Sequence, residues 1–150
     1  MAGYKVLGTD HNAFTVSDMD RSIRQFCDVL GFELLSDDKA DSSFIKTLTG
    51  LDKAPVRYVY LRGPDGHQVE LLQYYGPSDK EIAKYRPCDT AAAHMAIRVD
   101  NVPAAVEAAK SAGLEPFNEI ITIEEETGVT QSCYTRDPDG LIIEFLSRPT

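Results

Sequence analysis

The chain has 150 residues, 43% of them hydrophobic and 26% charged, a globular composition of single-domain length that excludes a disordered tract. No apolar run approaches the ~18 residues of a membrane span, and the first residues lack a signal-peptide stretch, so a cytoplasmic protein with no membrane partner is expected. The net charge of −9, with no basic patch, argues against nucleic acid, and three widely spaced cysteines with no CxxC pair argue against a disulfide framework or a thiolate zinc site.

In chain order, the first strand-like segment is His11-Asn12-Ala13-Phe14-Thr15-Val16. A helix follows, with Ser17 expected as its N-cap and Ile23, Phe26, Cys27 and Leu30 as its apolar stripe. Gly31 closes it, and the stripe makes Cys27 a small packed residue and not a nucleophile. Residues 37–54 read as an enlargement, with SSFIKTLTG as a helical turn. Residues 56–62 form a strand, and the Pro64-Asp65-Gly66 turn joins it to another ending in Val69-Glu70-Leu71-Leu72.

The chain then repeats itself. After a proline-containing, charged linker at 76–90 comes His94-Met95-Ala96-Ile97-Arg98-Val99, which matches the segment from His11 at an offset of 83. A second helix is expected to be capped by Asp100 or Asn101, with Pro103 in its first turn, Val102, Val106 and Ala109 as its stripe and Gly113 at its end. The Pro138-Asp139-Gly140 turn and the strand through Glu144 match the first turn and Glu70 at an offset of 74. Each copy reads βαβββ, the first over 8–75 and the second over 91–148.

Strand parity sorts the side chains. Val69 and Leu71 flank Glu70, and Ile143 and Phe145 flank Glu144, so each glutamate points away from the helix-packing face. His11 and His94 fall on the same face. Taken singly, an exposed strand glutamate is a solubility residue. Recurrence of both types at matched positions has no such explanation. Two histidines and two glutamates form an N/O ligand set for a divalent ion such as Ni, Co, Zn, Mn or Fe(II). His67 has no counterpart in the second copy and reads as exposed, and Glu124-Glu125-Glu126 read as a solvated strand end or loop.

These pieces (HNAFTVSDMDRSIRQFCDVLGFE, GHQVELLQYYGP, AAHMAIRVDNV and DPDGLIIEF) resemble the vicinal oxygen chelate superfamily of glyoxalases, bleomycin resistance proteins and extradiol dioxygenases. The resemblance implies an α+β fold in which two tandem βαβββ modules form an eight-stranded, cup-shaped mixed sheet with helices outside. It places metal ligands at His11, Glu70, His94 and Glu144. It implies a glyoxalase-like lyase or isomerase that moves a proton next to a chelated carbonyl of a small molecule. Glu144 is the candidate base and Glu70 its alternative. An Fe(II) extradiol dioxygenase, using His11, His94 and Glu144, is one alternative function; a small-molecule (antibiotic) binding protein without chemistry is the other. A homodimer is expected, with each cup inside one chain, because the linker is long enough to bring the second module beside the first.

Overall fold

The computed structural model describes residues 3–149. Strand β1 (Asn12–Thr15) leads into α1 (Met19–Arg24), which widens into a π-helical stretch over Gln25–Val29. There follow β2 (Glu33–Ala40), α2 (Ser42–Thr49), β3 (Val56–Arg62) and β4 (Gln68–Tyr74). The second half runs β5 (His94–Arg98), α3 (Val102–Ser111), β6 (Glu115–Pro116), β7 (Ile121–Glu125), β8 (Gly128–Arg136) and β9 (Ile142–Ser147). The α+β class and the doubled βαβββ order stand.

The strands lie in two sheets, ordered β1-β4-β3-β2 and β5-β9-β8-β6, with β7 also pairing with β8. One strand of the second copy is interrupted, which accounts for a fifth strand. β6 ends at Pro116, and one further bond to β8 follows it, from the Phe117 amide to the Tyr134 carbonyl. Pairing on β8 resumes at Ile121 opposite Ser132. In both sheets the first strand lies parallel to the last and the remaining pairs are antiparallel.

Sheet parity follows the sequence pattern. Val69 and Leu71 are fully buried, as is Phe145, with Ile143 nearly so. They join Met19, Phe26 and Leu30 of the first helical segment and Val102, Val106 and Ala109 of α3 in one apolar cluster that unites the two copies. Burial at this scale is the main force holding the copies together, at about 1.5–3 kcal/mol per large aliphatic or aromatic side chain. Gly31 ends the first helix in the left-handed conformation (φ 73°). Residues 42–49 form two helical turns where a single turn was expected, because Asp41 caps the amides of Ser43 and Phe44 and Ile45 is buried. No described helix is long and apolar enough to cross a membrane.

Two caps refine the sequence reading. Asn101 caps α3 through the amide of Ala104. At α1 the cap is Asp18, not Ser17, and it accepts from the amide of Arg21. Ser17 is engaged elsewhere. Its amide and its hydroxyl both donate to Asp139 in the Pro-Asp-Gly turn of the second copy, and Arg21 pairs with the same carboxylate. The matching Asp65 stays within its own turn, accepting from the amide of His67. Asp139 therefore latches one copy to the other.

Burial alone would raise the Asp139 pKa, but the Ser17 and Arg21 donors outweigh it and hold the carboxyl below its ordinary range. A depressed folded value means the latch contributes in full above the ordinary carboxylate range and is lost as pH falls through the folded value. Asp139→Ala should cost about 3 kcal/mol in urea unfolding at neutral pH, because it strands Arg21. The gap between wild type and variant should narrow below pH 4 (about the unfolded aspartate value), and a gap independent of pH would contradict the assigned cause.

Candidate metal centre

Parallel pairing sets the first half of the site. Ala13 of β1 lies opposite Glu70 of β4, and His11, two residues before Ala13, leans over the same face. The His11 Nε2 atom lies 3.3 Å from Glu70 Oε2. The second half repeats the relation. Ala96 lies opposite Glu144, and His94 Nε2 is 3.2 Å from Glu144 Oε2. Both glutamates are 15% exposed, while His11 and His94 are 28% and 43% exposed.

These distances fit neighbouring ligands of one ion. Two donors at about 2.1 Å from a metal are separated by ~3.0 Å at a right angle and ~3.4 Å at the tetrahedral angle. The donor set, imidazole nitrogen with carboxylate oxygen, suits the divalent ions named above. The Nδ1 atom of His11 is held by Asp10 at 2.7 Å, which leaves Nε2 as the atom facing Glu70.

The four side chains form two pairs. Among the described residues no group of three or more histidine, cysteine, aspartate or glutamate side chains is placed to hold a metal. The four candidates, expected to gather in one cup within the chain, stand as two separate His–Glu pairs, one on each sheet. The physical reason lies in how the modules meet. They pack through their helices and the Asp139 latch, so the outer strands β1 and β5 do not join their sheets into one. A groove opens between them, lined by Phe14, Leu30, Phe32, Met95 and Ile97. His67, expected to be exposed, is half-buried at this groove.

Each half-site has a tyrosine the sequence reading left without a role. Tyr60 pairs with Glu70 across β3 and β4, and Tyr134 pairs with Glu144 across β8 and β9. The His11 ring meets Tyr60 edge-on at 5.4 Å, and the Tyr134 hydroxyl lies 3.2 Å from His94 Nε2. Burial, then the Glu70 carboxylate, push the Tyr60 phenol up; burial, then Glu144, do the same at Tyr134. Both phenols therefore stay protonated at neutral pH and serve as donors. The signal for them was present. Each Pro-Asp-Gly turn centres its hairpin on the aspartate, so residues equally far from Asp65, or from Asp139, face each other. Arg57, on the opposite strand face, is engaged by Asp20 and Asp37 and lies outside the site. Cys133 is buried in the core, where burial raises its thiol; Gln131 reaches Thr122.

The Glyoxalase/Bleomycin resistance protein/Dioxygenase superfamily profile matches residues 8–145. The chain belongs to this superfamily. It is 32% identical over 136 residues to a lactoylglutathione lyase of Haemophilus influenzae, covering 91% of this chain and 89% of that one. It is 29% identical to a 2-epi-5-epi-valiolone epimerase of an Actinomyces species, covering 93% of this chain and 78% of the relative. A glyoxalase family protein of Bacillus cereus has the same fold, with a TM-score of 0.80, 24% identity and coverage of 98% and 97%.

Proposed function

We propose that this superfamily member is a divalent-metal-dependent lyase of the glyoxalase type, a homodimer whose metal is held by His11 and Glu70 of one protomer and His94 and Glu144 of the other. The observation that carries the reading is the pair of His–Glu contacts, 3.3 and 3.2 Å, at matched positions of two sheets that do not complete each other within the chain. A two-fold dimer brings unlike halves together twice. The open edges of β1 and β5 and the apolar groove between them are the surface such a partner would cover.

The substrate class is the hemithioacetal of a 2-oxoaldehyde and a thiol, and its product is the thioester of a 2-hydroxy acid. The lyase relative, named for lactoylglutathione, supports this choice. A bound divalent ion would supply positive charge to two neighbouring substrate oxygens as the carbon acid ionises. The chain supplies the rest. Glu144 takes the proton from the thiol-bearing carbon and returns it to the adjacent one, so the reaction is a net isomerisation with no external oxidant. Glu70 is the alternative carrier. Tyr60 and Tyr134 flank the two carboxylates and exclude water from one side. An epimerase reading is second and rests on the Actinomyces relative. It uses the same proton removal, with return to the opposite face.

Sharing of the site is tested by mixed dimers. His11→Ala and His94→Ala homodimers should each lose metal binding and turnover. A purified heterodimer of the two contains one doubly damaged site and one intact site, and should regain about half of both. A heterodimer as inert as its parents would place each site within one chain. The chemistry is tested at the carboxylates. Glu144→Gln should keep the fold and some metal while losing about 10²–10⁴-fold in turnover, and Glu70→Gln should be milder. The panel is 2-oxoaldehyde hemithioacetals, acyl-CoA thioesters and catechols. Turnover of catechols alone, with metal content untouched in Glu70→Gln, would replace the lyase with a dioxygenase.

A further inference from the structure

The two His–Glu pairs differ in what holds the glutamate. Ser132 of β8 is 7% exposed, and its hydroxyl donates to Glu144 Oε1 at 2.6 Å. The other oxygen of that carboxylate, Oε2, is the one facing His94 Nε2 at 3.2 Å. Glu144 is thus held by one oxygen and presents the other. The residue matching Ser132 in the first copy, at the same offset of 74, is Tyr58. Glu70 nevertheless keeps its contact with His11 at 3.3 Å. The strand geometry therefore does not need a serine to bring histidine and glutamate together. The second copy carries one all the same, at a buried position diagonal to the glutamate across the β8–β9 ladder.

We infer that Ser132 is a positioning residue for Glu144, fixing its carboxylate by Oε1 so that Oε2 alone serves the centre. The inference rests on the proposed metal site. It answers a difficulty in any mechanism that uses one carboxylate as both ligand and base. A glutamate has three rotatable side-chain bonds, and once released from a ligand position it would swing away from the substrate. A buried hydroxyl on the non-reacting oxygen keeps the group in place in either role, and a neutral donor does so without the charge that would suppress its basicity. Tyr134 leaves this task to Ser132, since its hydroxyl is directed to His94.

The test uses the full-length protein loaded with Co(II) or Zn(II). Ser132→Ala should bind the metal 10–100-fold more weakly by chelator competition. At saturating metal its kcat should fall at least tenfold with KM within threefold of wild type. The visible spectrum of the Co(II) form should change. Ser132→Thr, which keeps the hydroxyl, should restore affinity, kcat and spectrum. Ser132→Cys, close in size but a weak donor, should behave as the alanine variant does, and it reads the same point if alanine does not fold. Metal affinity within threefold of wild type in both Ser132→Ala and Ser132→Cys overturns the inference. Failure of the wild-type protein to bind metal would overturn the proposed function instead, so the two failures are distinct.

Discussion

The histidine–glutamate geometry of the candidate centre depends on one register, used twice. In each module the first strand runs parallel to the last, with an alanine opposite the glutamate and a histidine two residues before that alanine. Side chains two apart share a strand face, so this pairing alone sets an imidazole diagonal to a carboxylate. A one-residue slip would send Glu70 or Glu144 into the helix-packing layer, among Val69, Leu71, Ile143 and Phe145, and an apolar residue out of it. The register is thus held by the core, and the reactive groups are placed by the burial of their neighbours. Polar chemistry on one face needs no stabilisation of its own when the opposite face is this fully apolar.

The doubled order, the two His–Glu positions and the helix stripes were legible because each is written twice at constant spacing. Repetition marks a candidate ligand among surface glutamates, which a single copy cannot do. Tyr60 and Tyr134 were within reach of the same reasoning, since the Pro-Asp-Gly turns fix which residues face across each hairpin. Ser132 was not: its role depends on a side-chain hydrogen bond at a position where the two copies differ, and repetition is silent there. Ser17 was misassigned as a cap because local sequence favours a serine before a helix, whereas its amide and hydroxyl are taken by Asp139, 122 residues away.

The way the modules meet was the least legible element. A linker of this length permits either a closed cup within one chain or an exchange between chains, and strand pattern does not distinguish them. The choice depends on which surfaces the helices and the Asp139 latch bury against each other, a tertiary property spread over both copies. With those surfaces joined within the chain, the outer edges of β1 and β5 face away from any ladder, and the two His–Glu pairs are left as separate halves.

That separation has a thermodynamic consequence for the proposed enzyme. A bidentate half-site offers an ion two protein ligands, and a full site offers four, so metal affinity and dimerisation become linked equilibria. Metal bound across the interface stabilises the dimer by its preference for the four-ligand site over the two-ligand one, and dilution toward protomers releases metal in the same proportion. The two glutamates enter that linkage with different neighbours. Both would meet four ligands only when a partner arrives, Glu70 with Tyr60 at its side and Glu144 fixed by Ser132, each within its own chain. In the proposed dimer the edge strands, not the hairpins that carry the glutamates, are where small changes in sequence would alter affinity for metal without touching any group that contacts it.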